Sequence, residues 1–303
     1  MTGHATADRT IRRVRATAMV AAAACVLAGC MSQPPLAGSP SSSPSPGPRP
    51  AAGSLPRGGV VWMLTRAALA DLSADPAIRS RLDGSHVYEI VQPGQEPLAG
   101  FDAAVTVTFS SLIALSHAVA GGRLPTGTRA VLYDPEAWSF TPAAEQRDPV
   151  QAASTAAGLA RAHGLQFIAA PALNLTTVLA RGSAAPRWQQ FLDLQLAARM
   201  AKVADVIELQ AQSLERDSAA YATFVREAAA QARAAHPGVT VLAGLSTNPP
   251  GAFVASDQLV AAISASRAFV DGYWLNIPAP GRRCPTCNQK RPDVGIEALR
   301  AIL

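Results

Sequence analysis

Two carboxylates and an indole stand close together in Tyr133-Asp134-Pro135-Glu136-Ala137-Trp138. Paired acids in one site can divide the work of general acid and base or nucleophile. A third acid lies in Asp205-Val206-Ile207-Glu208-Leu209-Gln210-Ala211-Gln212, where Glu208, Gln210 and Gln212 alternate with apolar neighbours. Asn174, Asn248, Asn276 and Trp274 add amides and a second indole. Carboxylates and amides bond hydroxyl groups, and indole faces pack on the C–H face of a sugar ring, so this set suits a polyhydroxylated ligand. Each residue also has a plainer use. Asp134 suits a cap or turn, Glu136 a solvated loop, and each Trp a packed position. The Glu208 strand suits a buried hydrogen-bonded network with no chemistry.

What would gather these residues is a set of strand ends. Ala130–Tyr133 reads as a strand covered on both faces, and Pro135 stops it by removing a ladder donor and forcing Asp134 to be extended. Further strands are expected at Val60–Leu64, Val87–Val91, Ala104–Phe109, Leu165–Ala170, Val206–Ala211, Val239–Leu245 and Val270–Ile277. Helical patterns fall at Ala67–Leu82, Ser111–Ala120, Pro149–His163, Ala185–Ala204, Ser218–His236, Ser256–Ala268 and Val294–Leu303. This alternation over residues 59–303 predicts an α/β fold, a single (β/α)8 TIM-barrel-like domain. Residues just past the carboxyl ends of such strands line the ligand crevice. The candidate site residues are therefore Asp134, Glu136 and Glu208 for catalysis, with Tyr133, Trp138, Asn174, Gln210, Asn248, Trp274 and Asn276 for substrate binding. One joint is short: Pro93, Gly94 and Pro97 leave no room for a full helix between the second and third strands.

The amino-terminal stretch has a different character. Arg9, Arg12, Arg13 and Arg15 precede an apolar run from Ala16 to Val26, too short to span a bilayer and suited to an export signal over residues 1–29. The flanks of Arg12-Arg13 fit the twin-arginine export pattern poorly. Residues 30–58 are rich in Pro, Ser and Gly, cannot bury a core, and are expected to form a disordered tether. The whole chain carries a net charge of +5, but residues 1–29 hold four Arg against one Asp, so the rest is nearly balanced. No clustered basic face remains to argue for nucleic acid.

Leu27-Ala28-Gly29-Cys30 resembles the lipobox of bacterial lipoproteins. The resemblance implies cleavage before Cys30, a lipid on its sulfur, and anchoring to the extracytoplasmic face of the cell membrane. Once Cys25 has left with the signal, Cys284 and Cys287 remain. In an exported chain this Cys-Pro-Thr-Cys pair reads as a local disulfide, with a redox pair or half of a zinc site as alternatives. No metal site or cofactor is expected. His86, His117, His163 and His236 show no ligand spacing, and phosphate-loop, Gly-x-Gly-x-x-Gly and Gly-x-Ser-x-Gly motifs are absent.

The strand-end acid in Tyr133-Asp-Pro-Glu136, an inward Glu208 and Trp274 on the last strand resemble the barrel domains of glycoside hydrolases. That resemblance implies an acid after the fourth strand, at Glu136 or Asp134, and a sugar platform at Trp274. The chain departs from it in two ways: the Asp-x-x-Asp-x-Asp-x-Glu signature is missing, and no carboxylate ends the seventh strand. Two functions follow. In one, Glu136 is the general acid, Glu208 the partner carboxylate, and Asp134 tunes Glu136. In the other, the same rim binds a glycan or cell-wall component without turnover. A third reading makes Cys284 and Cys287 a redox pair.

Overall fold

A computed structural model describes residues 59–84, 86–249, 252–282, 284–287 and 289–303. The expected signal, Cys30 and the tether up to residue 58 lie outside the described residues. Eight parallel strands close a barrel in sequence order: β1 (Val61–Thr65), β2 (Val87–Val91), β3 (Ala104–Phe109), β4 (Ala130–Tyr133), β5 (Gln166–Ala169), β6 (Val206–Leu209), β7 (Thr240–Ser246) and β8 (Gly272–Asn276). The predicted (β/α)8 barrel is the observed fold.

The helices form the outer layer: α1 (Arg66–Leu72), α2 (Pro76–Leu82), α3 (Leu112–Ala120), α4 (Ala143–Arg147), α5 (Pro149–Ala162), α6 (Thr176–Leu179), α7 (Arg187–Asp193), α8 (Leu196–Ala201), α9 (Ser218–Ala235), α10 (Ser256–Ser266) and α11 (Pro292–Ile302). Two predicted helices are each a pair. Ala67–Leu82 breaks where the Asp75 carboxylate accepts from Ala77 and Ile78 N–H ahead of Pro76, which starts a new helix. Ala185–Ala204 breaks at Gln195, whose φ of 52° interrupts the helical path. Side-chain caps place four of the other starts: Thr65 on α1, Ser111 on α3, Asp148 on α5 and Asp217 on α9.

The short joint between β2 and β3 carries no helix. Glu89 supplies what is needed there. It faces outward from β2, is buried, and accepts the Leu98 N–H at 2.7 Å, tying the connecting loop to the barrel wall. Burial raises its pKa, against that hydrogen bond and the nearby Arg66 charge.

The strand register fixes which inward side chains share a level. Tilted strands climb one residue at each crossing. From Glu208 the path runs through Ala243 to Trp274, through Leu64 to Ile90, through Val107 to Leu132, and through Ala169 back to Glu208. Ile90, Leu132, Glu208 and Trp274 therefore form one layer of four, from alternate strands. Below it lie Met63, Thr106, Ile168 and Leu242, and below those Tyr88, Ala130, Val206 and Gly272. Gly272 is obligatory at the seam between β8 and β1, because a Cβ there would collide with the Val61 carbonyl. A second apolar shell, including Phe167, Ile207, Phe224 and Leu259, packs the helices on the outside of the strands.

Candidate functional site

The mouth of the barrel is built on the end of β4. Pro135 ends the strand as expected, and the half-buried Asp134 and Glu136 follow it. Side-chain amides hold both. Gln210, just past β6, donates from Nε2 to Asp134 Oδ1 at 2.5 Å and to the Ala170 carbonyl at 3.0 Å. Asn174 donates from Nδ2 to Glu136 Oε2 at 3.0 Å, while its Oδ1 accepts the Ala137 N–H at 2.8 Å. The Glu136 N–H in turn donates to Thr141 Oγ1 at 3.1 Å. Two carboxylates two residues apart are thus each oriented by an amide from another strand end.

Glu208 sits deeper. It is 0% exposed in the lumen, in a layer with Ile90, Leu132 and Trp274, and neither carboxyl oxygen has a hydrogen-bond partner. Burial, and then the charge of Asp134 two residues above Leu132 on β4, raise its pKa well above the carboxylate range. Glu208 therefore holds its proton more tightly than an exposed carboxyl does. A glycosidase scheme in which Glu208 itself acts on a sugar needs it open to the mouth, and in this structure it is closed.

Trp274 shares that layer at 7% exposure, its Nε1 buried and unpartnered. Its ring lines the lumen instead of presenting a face to solvent. Asn276 lies two residues above it, at the level of Asp134 and Gln210. Trp138 is half-buried at the rim, with Nε1 donating to Thr141 Oγ1 at 3.0 Å and its ring edge-on to Phe140 at 5.0 Å. Asn248, at the end of β7, is fully buried. Its Nδ2 donates to the Gln289 carbonyl at 3.2 Å, and its Oδ1 is unpartnered.

Tyr133 requires a correction, because it is not at the mouth. Leu132 and Asp134 point inward, so the side chain between them points outward, where Tyr133 is wholly buried and donates to Glu145 Oε2 at 2.9 Å. Glu145 Oε2 also accepts the Leu112 N–H at 2.8 Å, so the pair ties α4 to β4 and α3. Desolvation and then the Glu145 charge push the Tyr133 hydroxyl far above the ordinary phenol pKa.

Two further features belong to the mouth, and the disulfide in the second is the one expected from sequence. Glu215, between β6 and α9, is 1% exposed and accepts backbone N–H groups from Ser213 (2.5 Å, Oε2) and Ser246 (2.7 Å, Oε1). Burial pushes its pKa up to about 8 against those donors. In sequence it sits in Leu214-Glu215-Arg216-Asp217, which looks like a solvated charged turn. The loop after β8 also bends over the rim. The Arg282 guanidinium lies 5.8 Å above the Phe140 ring, and Cys284 and Cys287 are joined by a disulfide within a small turn that pairs Gly281 with Cys284. The pair opens no helix, since α11 starts at Pro292. Among the described residues, no group of three His, Cys, Asp or Glu side chains could hold a metal, and no helix is long and apolar enough to cross a membrane.

No protein-family model matches the chain, and no curated protein matches it in sequence. Solved structures do match in fold. A candidate alpha-L-fucosidase from Bacteroides thetaiotaomicron aligns with 80% of this chain and 91% of its own, at 10% identity and a TM-score of 0.50. Triosephosphate isomerase from Bartonella henselae aligns over 72% and 91%, at 13% identity and a TM-score of 0.42. A curdlan-specific exo-beta-1,3-glucanase from Blastomyces gilchristii aligns over 82% and 99%, at 14% identity and 0.41. Likeness at this identity is a likeness of barrels, and barrels of one shape host many chemistries.

Proposed function

We propose that this protein is an exported lipoprotein, anchored through Cys30, whose barrel mouth binds a polyhydroxylated glycan and hydrolyses a glycosidic bond there. One observation carries the reading. Two half-buried carboxylates leave the end of β4, each held in place by an amide, Gln210 on Asp134 and Asn174 on Glu136. Groups fixed before the substrate arrives need no reorganisation during reaction. In this reading Glu136 protonates the leaving oxygen as the glycosidic bond breaks, and the ionised Asp134 takes a proton from the water that bonds to the anomeric carbon. Glu208 keeps its proton beneath them, and Trp138, Asn174, Gln210 and Asn276 form the surrounding rim.

The test uses the full lipoprotein in detergent. Release of reducing ends from a panel of neutral polysaccharides should fall by about 10²–10⁴ in Glu136→Gln, with binding by calorimetry retained. Cys30→Ala should move the protein from membrane to soluble fractions and remove its labelling by a palmitate analogue.

The second reading, glycan binding without turnover, is supported by the closure of Glu208. With Glu208 shut in, the two accessible acids sit on one loop rather than on facing strands. Saccharide binding by a parent protein that releases no reducing ends would establish that reading in place of the first.

A further inference from the structure

The lumen changes character one level above Glu208. Thr65, Thr108, Ala170 and Gly244 form that layer, and the Thr65 hydroxyl turns aside to accept the Ala68 N–H. Four small residues reach less far toward the axis than the layers above and below.

The level is filled from above. Gln212, two residues past Gln210, folds its amide back over Gly244, where a Cβ would meet Gln212 Nε2 and Oε1 at 2.5 Å. That amide hydrogen-bonds to no described residue, so space rather than bonding holds it. Beneath it lie three buried polar atoms, also unpartnered: both carboxyl oxygens of Glu208 and Nε1 of Trp274. Buried polar groups ordinarily have partners, and a cluster of orphans beside a movable side chain points to a ligand.

We propose that Gln212 is a swinging cover, and that the small level beneath it is a subsite for one uncharged, hydroxyl-bearing group of the ligand, held by Glu208 and Trp274. The inference rests on the glycan reading above and narrows it. A sugar hydroxyl donates and accepts, as the orphaned atoms require. Trp274 Nε1–H donates to it, and the neutral Glu208 carboxyl can both donate and accept. Among the described residues no cationic side chain belongs to this level or to the one beneath it, so nothing there would offset the charge of a carboxylate or phosphate, and the sugar entering is neutral.

Incorporating 5-fluorotryptophan into the full chain gives a separate ¹⁹F signal for each of its four Trp, with Trp274 and Trp138 assigned by substitution to Phe. Titration with neutral hexose oligosaccharides should move both the Trp138 and Trp274 signals, and the matching uronic-acid oligosaccharides should leave Trp274 still. Gly244→Ala puts a methyl group at the small level and should abolish the Trp274 response while Trp138 still responds. Gln212→Ala removes the cover and should speed deuterium exchange at the Trp274 indole N–H at least tenfold, with the buried Trp62 unchanged. This last readout needs no ligand and no change at the strand.

A shift of Trp138 without Trp274 in the parent would overturn the subsite and leave the glycan reading standing. No shift with any saccharide would end the glycan reading, and the subsite with it. Unchanged Trp274 exchange in Gln212→Ala would overturn the cover.

Discussion

The lower and upper halves of the barrel lumen are made by the same eight strands and obey opposite rules. Below, Met63, Ile168, Val206 and Leu242 fill the space, and the one phenol among them is satisfied: Tyr88 donates to Gln166 Oε1 at 2.9 Å. Above, Glu208 and Trp274 carry polar atoms with no partner, and the layer over them is small. The lower half is built for packing density. The upper half gives up packing and hydrogen bonds together, which a fold tolerates where a ligand restores them.

Substitutions can break or sharpen that contrast. The largest effect should come from the filled half: Ile168→Ala should cost about 3–4 kcal/mol of unfolding free energy through the cavity it leaves. A cost below about 1 kcal/mol would mean that the lower half is as loosely packed as the upper.

The pH dependence comes next. Glu215 and Glu208 both have pKa values raised by burial in the folded chain, Glu215 to about 8. Raised carboxyls hold protons that the unfolded chain gives up near pH 4.5. Stability is therefore fullest below that pH and declines as pH rises through the folded values. Through Glu215 alone, urea unfolding should lose about 2–3 kcal/mol between about pH 6 and pH 9, and Glu215→Gln should remove that part of the slope. A stability that rises over this range would contradict the protonated state of both groups.

Glu208→Leu then isolates the upper half. Removing an unpartnered buried carboxyl should raise stability at pH 8 by about 1–2 kcal/mol, whereas destabilisation would mean that Glu208 has a structural partner. Smallest is Tyr88→Phe, which strands Gln166 Oε1 and should cost about 1 kcal/mol by thermal denaturation.

The barrel was legible because its signals are local. Alternating apolar strands and capped helices are written in short windows, and even the missing helix after β2 follows from Pro93, Gly94 and Pro97. The inward alternation of Glu208, Gln210 and Gln212 was also readable, since period two in a covered strand leaves one face for the lumen. Tyr133 stands at a strand end, which suggests the mouth, but parity sends its side chain outward to Glu145. The four-residue layers were not readable at all. Each joins strands tens of residues apart through a register that no single segment encodes. Glu215 was hidden for a similar reason: its backbone donors come from the β6 loop and from the end of β7. The break at Gln195 carries neither Gly nor Pro to announce it.

The Gly272 seam has a consequence for the order of assembly. It zips the first strand to the last, so a chain threaded amino end first through a ribosome or a translocation pore holds β1 without its final neighbour until nearly all of it has emerged. Completion of the ring is thereby postponed until the last strand has been made, so no amino-terminal fragment that ends before β8 can close.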